Sequence, residues 1–189
     1  MATELNNRRI AILATDGAEQ VEIQRPWQAV ERSGARVTLV APHDGEIQAM
    51  NGDIDKGDTF PVDTTVSETS PDDYEALILP GGTINPDRLR IDVDAVEFVR
   101  GFVTSGKPVG ALCHGPWTLA EAGVLRGRTV TSFGSIRTDL RNAGAQVLDQ
   151  EVVTDQGLVT SRGPEDLPAF CSEIIEEFAE GRHAVTSTS

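Results

Sequence analysis

KPVGALCHGPW, from Lys107 to Trp117, is the stretch that decides the fold. Its apolar residues 108–112 have the length and composition of a buried strand, and the residues from Gly115 onward are typical of a helix that is beginning. Cys113 falls at the corner between the two. Ala111 and Gly115, two positions before and two after, are small, as a sharp strand-to-helix turn requires. The stretch therefore predicts a nucleophile elbow.

Two interpretations of Cys113 follow from this position. At an elbow the thiol points outward at the edge of the sheet, and the amides at the helix N-terminus favour the thiolate. The alternative is a buried cysteine that packs as a small hydrophobic side chain. A bare A-x-C-x-G pattern also occurs by chance.

Composition limits the class of protein. The chain has 189 residues, enough for one domain with a full core, and 39% hydrophobic with 24% charged residues excludes a wholly disordered chain. The net charge of −14 opposes binding to nucleic acids and anionic membranes. No segment reaches the ~20 apolar residues of a membrane span, and the polar N-terminus lacks a signal-peptide core. We therefore expect a cytoplasmic protein.

The apolar pattern alternates between strands and helices. Strands predicted at residues 9–14, 36–40 and 73–80 are apolar enough to be buried on both faces, which favours a parallel sheet covered by helices. Helices are predicted at residues 21–33, 94–105 and 165–180, with weaker signals between 43 and 71 that suggest a small antiparallel excursion. The sequence predicts one domain over residues 9–181, with a flexible N-terminus at 1–8 and a disordered tail at 182–189.

Three loops should meet at the carboxyl ends of the parallel strands, where α/β sheets bind ligands. They carry Asp16 and Glu19, Gly81-Gly82, and Cys113-His114. Together they bring a thiol, an imidazole, carboxyl groups and free backbone amides to one edge, which is what nucleophilic attack on a carbonyl requires. Each side chain also has an ordinary interpretation: His114 as a capping or surface residue, and Glu19 as a solvated loop carboxylate.

The remaining cysteine and histidines have little chemical signal. Cys171 lies within the apolar stripe of the last helix and is predicted to pack in the core, and both cysteines are expected to be free thiols. His43 and His183 are not assigned a role. No metal site and no cofactor are expected, because the histidines and cysteines lack ligand spacing and no glycine-rich phosphate motif follows a strand.

Several motifs together resemble one family. They are LPGG at 79–82, NPDRLR at 85–90, GKPVGALCHGP at 106–116, AGVLRGRTVTS at 122–132 and the late segment QEVVTDQGLVTSRGPEDLPAF. Their order and spacing resemble the PfpI (intracellular protease I) branch of the ThiJ/PfpI superfamily over nearly the whole chain. The resemblance implies a flavodoxin-like three-layer sandwich with a mostly parallel sheet, similar to class I glutamine amidotransferases, and assembly as homodimers or multiples of dimers.

The resemblance also implies roles for individual residues. Cys113 would be the nucleophile, with His114 beside it and Glu19 hydrogen-bonded to the sulfur. An acidic residue from a neighbouring subunit orients the histidine in protease-like members, and Asp87 stands at that position in place of glutamate. Backbone amides of Gly82 and His114 would form the oxyanion hole.

The resemblance leaves three functions open. The first is a stress-response cysteine hydrolase: a protease or amidase, or a glyoxalase or deglycase that acts on methylglyoxal and its adducts. The second is a non-enzymatic redox sensor or holdase that uses oxidation of Cys113. The third is an amidotransferase-like glutaminase module, which rests on fold analogy.

Overall fold

The chain was analysed as a computed structural model, which describes residues 4–184. Within that range there are eleven strands and six α-helices. The strands are β1 (Arg9–Leu13), β2 (Arg36–Ala41), β3 (Glu46–Asn51), β4 (Asp55–Pro61), β5 (Thr64–Thr65), β6 (Ala76–Leu79), β7 (Val109–Leu112), β8 (Thr129–Val130), β9 (Gln146–Val147), β10 (Val152–Asp155) and β11 (Leu158–Ser161). The helices are α1 (Gln20–Arg32), α2 (Ile84–Leu89), α3 (Val93–Thr104), α4 (Pro116–Glu121), α5 (Arg137–Asn142) and α6 (Leu167–Glu180).

Seven strands form the central sheet in the order β10-β11-β7-β6-β1-β2-β5. All neighbouring pairs are parallel except β10 with β11. Alternate residues of the central strands enter two separate cores: Ala11 and Leu77 face one, Ile10 and Ile78 the other. Side chains of α3, α4 and α5 fill the first core, and those of α1 and α6 fill the second. The predicted three-layer α/β sandwich with a mostly parallel sheet is confirmed.

The antiparallel excursion is the hairpin of β3 and β4, which lies outside the central sheet. It is attached to the turn between β1 and α1: Gly17 donates to the Gln48 carbonyl (2.9 Å) and Met50 donates to the Ala18 carbonyl (2.8 Å). The Asp16 carboxylate accepts a further bond from the Gln48 amide (2.9 Å). The hairpin therefore extends beside the edge of the sheet where the predicted site lies.

The helix α2 is missing from the sequence prediction, because residues 84–89 contain proline and lack an apolar period long enough to indicate a helix. It follows the Gly81-Gly82 loop directly. Its buried residues include Asn85, which becomes important for the site.

The two ends of the domain are more ordered than the sequence suggests. Residues 1–3 and 185–189 lie outside the described range, so the flexible N-terminus and disordered tail are addressed only in part. Leu5 is fully buried, and its amide donates to the Ser33 carbonyl (2.9 Å). At the other end the His183 amide donates to the Gly106 carbonyl (2.8 Å). Residues 4–8 and 182–184 thus each contribute a side chain or an amide to the folded domain.

Candidate active site

The three predicted loops do converge. Strand β6 pairs with β1 on one side and β7 on the other, all in parallel, so their carboxyl ends reach the same edge. At that edge the turn after β1, the Gly81-Gly82 loop after β6 and Cys113 after β7 are in contact. A Cβ on Gly81 would lie 2.6 Å from the Cys113 Cβ, and one on Gly82 would lie 2.4 Å from the Gly17 carbonyl oxygen. Only glycine allows this approach.

Cys113 has a strained backbone at the corner between β7 and α4. Its φ of 59° lies in the left-handed region, which residues with a side chain seldom occupy. The turn is closed by the Gly115 amide, which donates to the Leu112 carbonyl (2.8 Å). A Cβ on Gly115 would meet the Leu79 carbonyl oxygen at 2.5 Å, so the requirement for a small residue at this position has a direct steric cause.

Cys113 is only 6% exposed. The backbone N–H groups of Gly82 and His114 lower the pKa of its thiol. Burial has the larger effect and raises that pKa well above its usual range, and the Glu22 carboxyl raises it further when it is ionised. Desolvation therefore opposes the thiolate that the helix N-terminus was expected to favour.

Glu22 occupies the place beside the sulfur that the family resemblance assigns to Glu19. Its side chain is fully buried in the first turn of α1, and Oε2 accepts a hydrogen bond from the Gly81 amide (2.7 Å). The carboxyl lies close to Cys113, since a Cβ on Gly81 would lie 2.6 Å from both Glu22 Oε2 and the Cys113 Cβ. Burial raises the pKa of Glu22 to about 8. At neutral pH the carboxyl is largely protonated and can donate a proton to the sulfur.

Glu19 points away from the sulfur. Both oxygens of its carboxylate accept from the Gly52 amide on the β3–β4 hairpin, at 2.9 and 3.2 Å. The expected Glu19–sulfur contact is therefore wrong for this chain. The reason is helical geometry: Glu19 precedes α1, whereas Glu22 is one turn further on and on the face that meets the sheet. Glu22 stands four and seven positions before the buried residues Pro26 and Ala29, and this helical spacing was the signal that could have found it.

The His114 ring lies between the Cys113 sulfur and Ser135. Its Nδ1 is 3.2 Å from the Cys113 sulfur, and its Nε2 is 3.0 Å from the Ser135 hydroxyl. When Nε2–H donates to Ser135, Nδ1 carries the lone pair toward the thiol. Burial lowers the pKa of His114, so the neutral ring is favoured. Phe133 stacks on the imidazole with ring centroids 4.6 Å apart, which fixes its plane.

Asp87 does not reach the histidine within one chain. It lies on the exposed side of α2, and among residues 4–184 no side-chain hydrogen bond joins it to His114. The intrachain partner of the ring is Ser135, which sequence reasoning missed because serine after a short strand is common in loops. A role for Asp87 therefore requires a second subunit.

Asn85 fixes the Gly81-Gly82 loop relative to β1. It is fully buried, its Oδ1 accepts from the Thr15 amide (2.8 Å), and its Nδ2 donates to the Pro80 and Gly81 carbonyls (3.0 and 3.2 Å). These bonds satisfy backbone groups of two loops at once. They connect the NPDRLR segment to the predicted oxyanion loop.

Comparison with protein families now agrees with this geometry. The DJ-1/PfpI family model matches residues 8–177, which is most of the chain. The chain belongs to the DJ-1/PfpI family. Both the resemblance and the flavodoxin-like fold predicted from the sequence are confirmed.

Relatives within the DJ-1/PfpI family carry enzymatic names. The chain is 42% identical over 171 residues to Protein/nucleic acid deglycase 2 of Escherichia coli, which covers 89% of this chain and 96% of that protein. It is 40% identical over 168 residues to Deglycase PfpI of Pyrococcus furiosus, covering 89% and 98%. Among solved structures, DJ-1beta of Drosophila melanogaster is 26% identical with a TM-score of 0.82, covering 92% of this chain and 91% of that one.

A cluster of two glutamates and a histidine lies away from the candidate active site. The ligand atoms of Glu177, Glu180 and His183 lie within 4.8 Å of one another at the end of α6. His183 Nε2 and Glu177 Oε1 are 2.5 Å apart. Nitrogen and oxygen ligands at roughly 2.0–2.2 Å from one ion would stand about 3 Å from each other. In this structure the Glu177 carboxyl and the His183 ring are therefore in direct contact with each other. No helix within residues 4–184 combines the length and apolarity needed to cross a membrane.

Proposed function

We propose that the chain is a cysteine-dependent deglycase-type hydrolase that acts on small carbonyl compounds and their adducts with amines and thiols, as a stress-response enzyme. The observation that carries this proposal is the strand-to-helix corner, where the Cys113 sulfur lies 3.2 Å from His114 Nδ1 and the backbone N–H groups of Gly82 and His114 lower the pKa of the thiol. The names of the relatives support the same reaction class.

The residues suit addition of sulfur to a carbonyl carbon. Burial raises the pKa of both Cys113 and Glu22 and so favours their protonated forms in the resting state. As the sulfur bonds to carbon, its proton passes to the neutral Nδ1 of His114, and the carbonyl electron pair moves to oxygen. The amides of Gly82 and His114, released from the sulfur, then stabilise that oxyanion.

Burial favours small substrates over extended peptides. Cys113 and His114 are each 6% exposed, and Phe133 and Trp117 flank the imidazole. We expect so buried a thiol to react with methylglyoxal-sized groups, whereas an extended chain needs an open groove to place its scissile bond. A protease activity is the competing proposal for the same cysteine.

Assembly could complete the site. We propose that the chain acts in the cytoplasm as a homodimer or a multiple of dimers, in which Asp87 of one subunit approaches the His114 region of another. Exposed Asp87 on α2 is available for such a contact. Dilution of the protein to monomers should then lower the specific activity, and Asp87→Asn should lower it in the assembled protein as well. Equal activity at all concentrations removes Asp87 from the mechanism.

The decisive experiment compares the wild-type chain with Cys113→Ser on three substrates: methylglyoxal, methylglyoxal-glycated N-acetylcysteine or N-acetyllysine, and a fluorogenic peptide. We expect turnover of the glycated compounds by the wild-type protein and none by Cys113→Ser. Cys171→Ser is the matched control and should keep full activity.

Other outcomes separate the competing functions. Cleavage of the peptide without turnover of the carbonyl compounds would favour a protease. Absence of all turnover, combined with selective conversion of Cys113 to a sulfinate by mild peroxide in mass spectrometry, would favour the redox sensor or holdase. Either result contradicts the deglycase proposal.

A further inference from the structure

A carboxylate on the β3–β4 hairpin binds the residue next to the oxyanion loop. Asp53, in the turn between the two strands, accepts from the Thr83 amide through Oδ1 (2.7 Å) and from the Thr83 hydroxyl through Oδ2 (2.8 Å). Thr83 follows Gly82 directly in the chain. The Asp53 carboxylate therefore binds the residue that immediately follows Gly82 in the chain.

The hairpin turn presents Asp53 in a defined orientation. Gly52 and Asp53 both have left-handed backbones, with φ of 63° and 64°. Aspartate tolerates this region better than most residues with a side chain. The Glu19 carboxylate binds the same turn, because it accepts a hydrogen bond from the Gly52 amide. Asp53 is thus anchored to the β1–α1 turn rather than free on a loop.

Gly82 is held between two supports. On one side its backbone is in tight contact with the β1–α1 turn, since a Cβ would lie 2.4 Å from the Gly17 carbonyl oxygen. On the other side the bidentate contact with Asp53 fixes the next peptide unit. Gly82 itself has a φ of 76°, in the left-handed region. Glycine can also adopt many other backbone conformations, so contacts of its neighbours are needed to keep it in this one.

We propose that Asp53 is a positioning residue that, through Thr83, holds the Gly82 amide on the Cys113 sulfur and on the oxyanion that forms there. The inference rests on the proposed function for the oxyanion, but the effect of the Gly82 amide on the pKa of the Cys113 thiol requires no substrate. The role of Asp53 is indirect: it touches neither sulfur nor substrate.

Asp53 also brings a negative charge toward the site. That charge raises the pKa of His114 in opposition to burial. Geometry and charge therefore have to be separated by experiment. Asp53→Asn removes the charge but keeps an oxygen for the Thr83 amide and an amide group for its hydroxyl. Asp53→Ala removes both, and Thr83→Val removes one hydrogen bond while keeping the shape of the side chain.

The test uses the full chain with Cys171→Ser as background, so that iodoacetamide reports on Cys113 alone. The alkylation rate is measured against pH, and kcat and KM are measured with a glycated amino acid. We expect Asp53→Ala to slow alkylation several-fold at pH 7, to raise the pH of its half-maximal rate, and to lower kcat about tenfold with KM changed less than about twofold. Thr83→Val should lie between Asp53→Ala and wild type.

Two variants decide between positioning and other effects. Asp53→Asn should restore most of the wild-type kcat and alkylation rate. Asp58→Ala is the matched control, because Asp58 is another carboxylate of the hairpin, bonded to Gln20 on α1 and not to residue 83. Thermal unfolding verifies that each variant folds, and if Asp53→Ala does not fold, Thr83→Val carries the test.

The proposal is overturned if Asp53→Ala or, in its place, Thr83→Val behaves like Asp58→Ala. It is also overturned if Asp53→Asn is as slow as Asp53→Ala, since charge would then be responsible. Failure of the proposed function gives a different pattern: no turnover by wild type, while the alkylation rates still rank the variants.

Discussion

Burial raises the thiol pKa of both cysteines in this chain, but the two side chains have different neighbours. The pKa of Cys171 is raised to about 11. Cys113 is surrounded by the Gly82 and His114 amides, the His114 ring and the Glu22 carboxyl. Cys171 lines a groove of about 460 Å³ between α1 and α6, where its chemical surroundings are mostly apolar and two exposed arginines stand nearby.

This difference shows that burial alone does not distinguish a reactive thiol from a packing thiol. What distinguishes Cys113 is a proton acceptor within 3.2 Å, together with amides that can stabilise negative charge. Cys171 has no hydrogen-bonding partner of this kind among the described residues; its neighbouring arginines only lower its pKa slightly against burial. The comparison can be tested by four changes, in order of decreasing expected effect.

Exchange of each sulfur for oxygen should separate the two sites most strongly. Cys113→Ser should lower kcat/KM by more than about 10³-fold, because a serine at an elbow built for a thiol is a far weaker nucleophile. Cys171→Ser should leave kcat/KM within about twofold of wild type. Steady-state kinetics on a common substrate measures both, and equal losses would contradict the distinction.

Glu22→Gln should change the pH dependence of the site. The wild-type carboxyl ionises only as the pH rises through about 8, and from there its charge opposes the thiolate. Above that pH the alkylation rate of Cys113 should therefore be higher in Glu22→Gln than in wild type, whereas that of Cys171 should be unchanged. Alkylation followed by mass spectrometry measures both rates in one sample. An unshifted Cys113 profile would show that Glu22 does not couple to the sulfur.

The same substitution has a consequence for stability. The folded-state pKa of Glu22, about 8, lies above its ordinary value of 4.5, so the protonated carboxyl is favoured by folding. That contribution is complete below about pH 4.5 and is lost as the pH rises toward 8, by up to about 1.4 kcal/mol per pH unit. Glu22→Gln should flatten the fall in the free energy of unfolding over this window, as measured by urea denaturation.

Ser135→Ala should have a moderate effect, because it leaves the imidazole in place but removes the hydroxyl that orients it. One neutral hydrogen bond is worth about 0.5–1.5 kcal/mol, so a loss of roughly 2- to 10-fold in kcat is expected. Ser135→Thr, which retains the hydroxyl, is the conservative control. A kcat unaffected by Ser135→Ala would show that another group sets the tautomer.

Glu19→Gln should have the smallest effect. Its carboxylate binds the exposed Gly52 amide on the hairpin and makes no contact with the sulfur, so kcat should stay within about twofold of wild type. The pH profile of Cys113 alkylation should be that of wild type, in contrast to Glu22→Gln. A loss comparable to that of Glu22→Gln would return Glu19 to the active site.

Much of the site follows from the sequence because it is local. The elbow, Cys113 and the adjacent His114 are neighbours in the chain, and the convergence of three loops follows from parallel strands having their carboxyl ends at one edge. The apolar runs likewise determine the sandwich, since strands buried on both faces need helices on both sides. These features require no knowledge of distances between remote residues.

The tertiary structure alone decided which polar groups meet the sulfur. The choice of Glu22 over Glu19 depends on the phase of α1 against the sheet, and Ser135 reaches His114 across 21 positions of the chain. The ionisation of Cys113 also depended on packing, because the cost of burying a charge outweighs the amides that the elbow supplies. The sequence determines which residues are neighbours along the chain. The protonation of the thiol, carboxyl and imidazole groups depends on desolvation and on hydrogen-bond geometry, which exist only in the packed domain.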